Sequence, residues 1–269
     1  MLLAASGISA AAEAQLIAYN IRFDNPADGA DAWPYRKDAV AALLRRHSPD
    51  LFGLQEALPH QIAELSAALP EHDWLGVGRD GGGGGEGAPV FYRKDRFTLL
   101  KGGTFWLSET PERPSRGWDA ALNRVCSYGL FKEKPSRHRL LVINCHFDHA
   151  GKTAGIESAR LVLNMVEKIN DDDDPLVLMG DFNAEPNDPP IILLKQYLSD
   201  SRDSSRIPPA GPPGTFSGFA VEGSVTRRID YLFTAKDGRI DVLSHEVLED
   251  ADKSRYPSDH LPVSVQIGF

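Results

Sequence analysis

Several stretches of this sequence run apolar and then end on a polar residue that could take part in catalysis. Their end residues are Asn20, Glu56, His146 and Asp181. Polar groups at the ends of strands can converge on one rim of a β-sandwich, where they avoid the cost of being buried without partners. The pattern therefore predicts that these four side chains meet at one site.

Further polar residues near later strands enlarge this set. Together the candidates comprise four carboxylates, two asparagines and two histidines, the additional members being Asn183, Asp230, Asp259 and His260. Hard oxygen ligands of this kind suit Mg²⁺ or Mn²⁺ better than zinc. A metal and fixed N–H donors stabilise the charge that develops when a phosphate ester is attacked. A histidine held by a carboxylate keeps one tautomer and can carry a proton near neutral pH.

Five motifs give the sequence a specific resemblance. They are LQE at 54–56, NCHFDH at 144–149, GDFNAEP at 180–186, RIDY at 228–231 and SDHLPV at 258–263. In this order they resemble the endonuclease/exonuclease/phosphatase superfamily, which has the DNase I-like fold. The resemblance covers the chain from about Gln15 to its end. It implies an α/β fold: a four-layer α/β sandwich of two packed, mainly antiparallel or mixed β-sheets flanked by helices. It also implies a divalent metal cofactor, usually Mg²⁺.

The resemblance assigns roles to individual residues on the metal side of the site. It implies that Glu56 is a metal ligand, with Asn20 beside it and Asp259 as a second carboxylate on the metal side. It implies that Asp181 orients or deprotonates the attacking water. Asn183 matches a donor to the scissile phosphate.

The histidines of the site have carboxylate partners in the same resemblance. His260 matches the histidine at the phosphate, and Asp230 matches its orienting partner. His146 matches the other catalytic histidine. Glu86 stands where a glutamate of the DNase I-like nucleases hydrogen-bonds that second histidine, which predicts a Glu86–His146 contact that raises the pKa of His146. The alternative is that Glu86 only solubilises the adjacent glycine turn.

The segment 102–129 is rich in tryptophan and arginine and predicts a substrate-binding region. Its candidates are Trp106, Trp118 and Arg124. An aromatic plane beside an arginine suits a base, a sugar or an aromatic leaving group that carries phosphate. The alternative is that the tryptophans fasten this loop onto the sheet. Strand alternation also places Asp148 on the face of His146, as a substrate-binding candidate or a solvated strand-end acid. The motifs FWLSETP and GWDA resemble a bacterial branch of the superfamily.

The elements that must position these residues are strands alternating with a few helices. Strands are predicted at 15–22, 51–55, 89–93, 97–106, 125–132, 139–146, 176–181, 229–233, 240–247 and 262–267. Helices are predicted at 36–47, 59–69, 155–169 and 190–198. Long strands with apolar faces and few helices favour two packed sheets with the helices outside.

The whole chain limits the class of substrate. It has 269 residues, 42% hydrophobic and 25% charged, with a net charge of −9 and a pI of about 5.4. The acidic balance argues against long nucleic acid, and no apolar run is long enough to span a bilayer. We therefore expect a monomeric phosphodiesterase or phosphatase that acts on a small or exposed phosphate ester. The alternatives are a nuclease, a sphingomyelinase-type enzyme and a binding protein that has lost catalysis.

Two local features concern processing and redox state. Residues 1–14 end in Ala12-Glu13-Ala14 and resemble the end of a secretory signal, which predicts a single domain at 15–269 and a periplasmic or secreted location. A disordered tail on a cytoplasmic protein is the alternative. Cys126 and Cys145 are interpreted as two buried free thiols, with a disulfide left open.

Overall fold

The strands and helices alternate as the sequence predicts. The computed structural model describes residues 12–251 and 255–269. Its strands are β1 (Glu13–Asn20), β2 (Leu51–Gln55), β3 (His72–Leu75), β4 (Val90–Arg93), β5 (Phe97–Trp106), β6 (Val125–Glu133), β7 (Arg139–His146), β8 (Leu176–Asp181), β9 (Leu198–Asp200), β10 (Asp230–Ala235), β11 (Asp241–Val247) and β12 (Val263–Gly268). Its α-helices are α1 (Trp33–His47), α2 (Pro59–Ala68), α3 (Lys152–Ile169), α4 (Pro189–Tyr197) and α5 (Ser201–Ser204), and a 3₁₀ helix spans Pro26–Asp31.

The strands form two mixed sheets of six. The first has the order β11-β12-β1-β2-β4-β3, and the second has the order β5-β6-β7-β8-β10-β9. Each sheet contains one parallel pair at its centre, β1 with β2 and β7 with β8. Parallel strands end at the same edge of a sheet. This is why Asn20 lies opposite Gln55 in one sheet and His146 lies opposite Asp181 in the other.

Side-chain alternation along the strands builds four layers. In β1, Leu16 and Ala18 face the apolar core between the sheets, whereas Ile17 and Tyr19 pack with residues of α1 and α2. Helices α3 and α4 cover the outer face of the second sheet. This period of two buries both faces of a strand against different layers. The predicted four-layer sandwich is therefore confirmed.

Two sequence-based expectations differ from the structure. Strand β1 begins at Glu13, and Ala12 exchanges backbone hydrogen bonds of 3.0 and 2.8 Å with Phe269. The strand therefore begins two residues before the predicted start at residue 15, because sheet pairing extends to residue 12. The predicted domain boundary at residue 15 stays a prediction, and residues 1–11 of the predicted signal segment lie outside the described residues. Cys126 lies directly opposite Cys145 on β6 and β7, with Cα atoms 4.2 Å apart, and the two are disulfide-bonded. The interpretation as free thiols is therefore wrong.

Several short strands and helices were not predicted from the sequence. Strands β3 and β9, helix α5 and the 3₁₀ helix are each six residues or fewer, too short to show a clear period. In the described part of the chain, no helix has the length and apolar character that crossing a membrane would require.

Candidate active site

Asp181 is the centre of the polar cluster at the strand ends. Its Oδ2 atom lies 3.6 Å from Nε2 of His146 and 3.8 Å from Nε2 of His260. The same oxygen accepts a hydrogen bond of 2.9 Å from the amide of Asn20, and Oδ1 accepts one of 2.8 Å from the backbone N–H of Asn183. These residues come from both sheets and from the loop after β8. The structure thus brings together five of the residues that the sequence singles out.

The backbone around the motifs explains why these residue types occur there. Gly180 has φ +145°, and a Cβ at this position would lie 2.0 Å from the carbonyl oxygen of Cys145, so only glycine fits. Glu56 and Asn183 both have left-handed backbones, with φ of 60° and 47°. Such conformations are uncommon for residues other than glycine and concentrate at functional sites. They turn the chain sharply at the end of a strand and point the side chains into the cleft.

Asp230 and His260 form the hydrogen bond that the sequence predicts. Nδ1 of His260 lies 2.8 Å from Oδ2 of Asp230, and both residues are buried. Asp230 begins β10 directly opposite Asp181, and its backbone N–H donates to the hydroxyl of Thr215. Burial disfavours a charged imidazole, but the carboxylates of Asp230 and Asp181 outweigh burial and raise the pKa of His260. The arrangement presents a charged Nε2–H toward Asp181.

Glu56 and Asp259 lie on the other side of Asn20. The amide of Asn20 donates to Glu56 at 3.1 Å as well as to Asp181, so it links the two groups of carboxylates. Arg22, which the sequence analysis missed, lies between Glu56 and Asp259 at 3.9 and 4.0 Å. It also forms a salt bridge of 2.9 Å with Asp28. Arg22 follows Asn20 by two residues, and this shared strand-end position was the signal that could have identified it.

The negative charge of the carboxylates in this cluster is not fully balanced by the neighbouring arginine and histidine side chains. Among the described residues, the compact group with metal-ligand spacing is Asp181, Asp230 and His260, whose donor atoms lie within 4.8 Å of one another. Oδ1 of Asp230 is buried and has no hydrogen-bond partner among these residues. Burial and the charge of Asp230 raise the pKa of Asp181. A buried carboxylate beside another carboxylate is stabilised by a proton or by a cation.

These residues fit a divalent cation, although the compact group is not the set that the sequence assigned to the metal. His260 already uses Nδ1 to bind Asp230, which explains the closeness of those two residues without a metal. Glu56 and Asp181 remain as oxygen donors on either side of Asn20. Oxygen donors are the ligands that Mg²⁺ and Mn²⁺ prefer.

His146 is held by an arginine and not by the predicted glutamate. Nη1 of Arg124 lies 3.1 Å from both ring nitrogens of His146, and Asn183 is 3.3 Å from Nε2. Burial and the charge of Arg124 hold the pKa of His146 well below its usual range. Glu86 instead forms a salt bridge of 2.7 Å with Arg79, and it is 4.0 Å from Nη1 of Arg124. The predicted Glu86–His146 pairing is wrong, because a carboxylate is bound more strongly by a guanidinium than by a neutral imidazole.

Asp148 organises a loop and does not face substrate. Oδ1 accepts hydrogen bonds of 2.9–3.1 Å from the backbone N–H groups of Ala121, Ala150 and Gly151. Oδ2 is 3.4 Å from Nε of Arg124. Burial opposes ionisation, but these N–H groups and Arg124 outweigh it and lower the pKa of Asp148 to about 2. Its interpretation as a substrate-binding residue is therefore wrong, and its effect on the site runs through Arg124.

The two tryptophans of the 102–129 segment differ. Trp106 is 7% exposed, packs with Ala88 and Val125, and donates its indole N–H to the carbonyl of Arg79 at 2.6 Å. It fastens a loop, so its interpretation as a substrate-binding residue is wrong. Trp118 is half-buried, and its backbone N–H donates to Glu109 at 3.2 Å. Its role in substrate binding stays a prediction.

Known proteins resemble this chain in both sequence and fold. A family model described as the Endonuclease/Exonuclease/phosphatase family matches residues 17–260, which include all the candidate site residues. The chain belongs to this family. Within the endonuclease/exonuclease/phosphatase family, it is similar to a crystal structure of a family protein from Bacteroides thetaiotaomicron, with 37% identity and a TM-score of 0.91 over 96% of this chain and 98% of that one. It is equally similar to a mannosyl-6-phosphatase from the same organism, with 37% identity and a TM-score of 0.91 over 95% and 100% of the two chains.

More distant members of the family share the fold. The human Nocturnin catalytic domain, whose structure has a bound sulfate anion, is 20% identical with a TM-score of 0.73 over 95% of this chain and 94% of that one. A match to Drosophila melanogaster Nocturnin is 24% identical and covers 85% of this chain but 41% of that protein. An uncharacterized mimivirus protein is 27% identical over 57% of this chain and 60% of its own length. The chain thus spans less than two thirds of these curated relatives.

Two residues near His146 were given no role in the site from the sequence. His149 contacts Nη2 of Arg124 through Nδ1 at 2.9 Å, although strand alternation continued from His146 would place it on the opposite face. The strand ends at His146, so alternation no longer applies three residues later. Arg79 lies in a glycine-rich loop, where no local signal points to the site. Both were found only through their contacts with Arg124 and Glu86.

Proposed function

We propose that this protein is a divalent-metal-dependent phosphatase that hydrolyses small phosphomonoesters, with sugar phosphates as the preferred class. The observation that carries the proposal is the position of Arg124. Its side chain is 5% exposed and contacts the rings of His146 and His149, beside Asp181. A phosphomonoester carries a charge of about −1.5 to −2 near neutral pH, more than a diester. A buried guanidinium at the phosphate end of the site supplies the additional positive charge that such a substrate needs.

The residues of the site divide the chemistry between them. Asp181 accepts a proton from the water that attacks phosphorus, and burial beside Asp230 makes it a stronger base than an ordinary aspartate. His260, which Asp230 keeps charged, gives a proton to the departing oxygen. A divalent cation held by Glu56, with Asn20 and Asp259 nearby, would stabilise negative charge on the phosphate oxygens.

His146 and Asn183 have a binding role in this scheme. Because burial and the charge of Arg124 both lower the pKa of His146, this residue acts as a neutral imidazole. Asn183 is fixed by the carbonyl of Phe147 at 3.0 Å, which aims its amide at the same region. Fixed donors of this kind stabilise developing charge without reorganisation at the moment of reaction.

The sugar-phosphate class is supported by similarity and by charge. The mannosyl-6-phosphatase of Bacteroides thetaiotaomicron is 37% identical and matches over its full length. The net charge of −9 disfavours a polyanion such as DNA or RNA.

A metal-supplemented substrate screen tests the proposal. Activity would be compared on p-nitrophenyl phosphate, mannose 6-phosphate, glucose 6-phosphate, bis-p-nitrophenyl phosphate, single-stranded and duplex DNA, and RNA. Asp181→Asn serves as the inactive control. We expect the highest kcat/KM on a sugar phosphate with Mg²⁺ or Mn²⁺. Preference for a diester or for nucleic acid would contradict the phosphatase proposal and favour the phosphodiesterase or nuclease alternative.

A further inference from the structure

A small hairpin approaches His146 from the first sheet. The backbone N–H of Arg79 donates to the carbonyl of Glu86 at 2.9 Å, and the glycine-rich turn 81–85 joins the two residues. The hairpin is tied at its base, where the N–H of Gly87 donates at 2.7 Å to the carbonyl of Ala57, the residue after Glu56. It is tied again by the indole of Trp106, which binds the carbonyl of Arg79 at 2.6 Å. Arg79 and Glu86 are therefore held in fixed positions beside the site.

Glu86 lies between two arginines of the site. Its carboxylate is 2.7 Å from Nη1 of Arg79 and 4.0 Å from Nη1 of Arg124, and its side chain is only 12% exposed. Arg79, Glu86, Arg124 and His146 line one cavity of about 10 Å³, which is about the volume that one water needs. The charges of Arg79, Glu86 and Arg124 are therefore close enough to affect one another.

Glu86 lies closer to Arg79 than to Arg124. Arg79 is the closer partner and takes the charge of Glu86, so the nearest contacts of the Arg124 Nη1 atom are the ring nitrogens of His146. Without Arg79, the nearest guanidinium to Glu86 would be that of Arg124. A buried carboxylate forms an ion pair with the guanidinium that is in reach, because burial without an opposite charge is costly.

We propose that Arg79 is a positioning residue that holds Glu86 away from Arg124 and so keeps the Arg124 guanidinium available for a phosphate dianion. The inference rests on the proposed phosphatase function and names the element that sets the preference for monoesters over diesters. Among the described residues, Arg79 forms no hydrogen bond with His146, and its salt bridge is to Glu86. It acts through Glu86. Arg124 already pairs with Asp148 through Nε at 3.4 Å, so a second carboxylate at Nη1 would cancel the positive charge that a dianionic substrate requires.

A rescue experiment separates this role from a structural one. Arg79→Met should raise KM for p-nitrophenyl phosphate by roughly tenfold or more, with a small change in KM for bis-p-nitrophenyl phosphate. The inhibition constant of inorganic phosphate, measured against diester hydrolysis, should rise by a similar factor. The double variant Arg79→Met/Glu86→Gln removes the freed carboxylate and should return both values to within about threefold of the wild type.

One control variant and one alternative variant complete this experiment. Arg139→Met removes salt bridges to Asp172 and Asp174 at the opposite end of β7 and should leave the monoester-to-diester ratio unchanged. Trp106→Phe removes only the indole anchor of Arg79 and should shift the ratio in the same direction as Arg79→Met, by less; it serves as the test if Arg79→Met folds poorly.

The outcomes separate the two proposals. A double variant as defective as Arg79→Met, or a single variant with unchanged phosphate inhibition, overturns the positioning role. A wild-type enzyme that hydrolyses diesters alone overturns the phosphatase proposal, and in that case phosphate inhibition still decides the role of Arg79. Rescue of phosphate inhibition by Glu86→Gln in the double variant supports the positioning role of Arg79.

Discussion

The side chain of Gln55 donates a hydrogen bond of 2.6 Å to Oδ1 of Asn144 and joins the two sheets directly beneath the site. The amide of Asn144 in turn donates to the carbonyls of Leu54 and Pro89 at 2.8 and 2.9 Å. A Cβ on Gly53 would lie 2.4 Å from Cγ of Asn144, so glycine makes room for this side chain. Gln55 precedes Glu56, and Asn144 precedes His146 by two residues. One buried polar contact thus fixes the spacing between the two halves of the site.

This contact predicts a loss of stability when it is removed. Asn144→Leu keeps the size of the side chain but removes three buried hydrogen bonds between the sheets, those with Gln55, Leu54 and Pro89. We expect the free energy of unfolding to fall by about 1–3 kcal/mol, measured by urea denaturation. Asn187→Leu, at an exposed position, is the control. Equal stabilities of the two variants would show that the inter-sheet contact is not needed.

Metal binding through Glu56 is the second prediction. Glu56→Gln retains the size and shape of the side chain but removes the charge of an oxygen ligand, so kcat/KM should fall by roughly 100-fold or more. Binding of Mg²⁺ and Mn²⁺, measured by titration calorimetry, should weaken in parallel. Glu246→Gln, on the exposed face of β11, should change neither quantity. Full activity of the wild type in excess EDTA would rule out a metal-dependent mechanism.

The Asp230–His260 pair gives a third prediction. Asp230→Asn removes the charge that orients and charges His260 across a contact of 2.8 Å. Loss of such a partner commonly costs orders of magnitude in rate, and we expect kcat to fall by roughly two to four orders of magnitude. The profile would be recorded from roughly pH 6 to 9, the range in which histidine catalysis operates. Asp241→Asn at the start of β11 is the matched control. Wild-type kcat throughout this range would refute the orienting role.

Asp148 predicts a pH-dependent contribution to stability. Its pKa is about 2 in the folded protein and about 3.9 in an unfolded chain. A pKa that is lower in the folded state contributes stability that is fully present above the unfolded value and is lost as pH falls through the folded value. Asp148→Asn should lower the free energy of unfolding by about 1–3 kcal/mol near neutral pH, because an amide N–H would face backbone N–H groups.

The same comparison at acidic pH completes this test. The difference between wild type and Asp148→Asn should shrink between roughly pH 4 and pH 2, measured by urea denaturation at each pH. Asp38→Asn, at an exposed position of α1, should show no such trend. A difference that stays constant down to the lowest pH would contradict the role of the Asp148 charge.

The sequence by itself determined the layers of the fold and the floor of the site. Strand alternation and the motifs at strand ends are local, and parallel pairing then brings Asn20 beside Glu56 and His146 beside Asp181 without further information. The Asp230–His260 hydrogen bond was predicted from the resemblance to the family, in which the RIDY and SDHLPV motifs match an orienting carboxylate and its histidine.

Only the tertiary structure decided which partner each loop side chain takes. Glu86 could bind a histidine or an arginine, and the choice of Arg79 depends on a hairpin that Trp106 and Ala57 hold in place from distant parts of the chain. The same is true of Asp148, whose backbone partners come from a separate loop, and of Cys126 and Cys145, which meet through the register of β6 and β7. Short-range sequence patterns determine which strand end carries a side chain, whereas its charge partners depend on loops from distant parts of the chain.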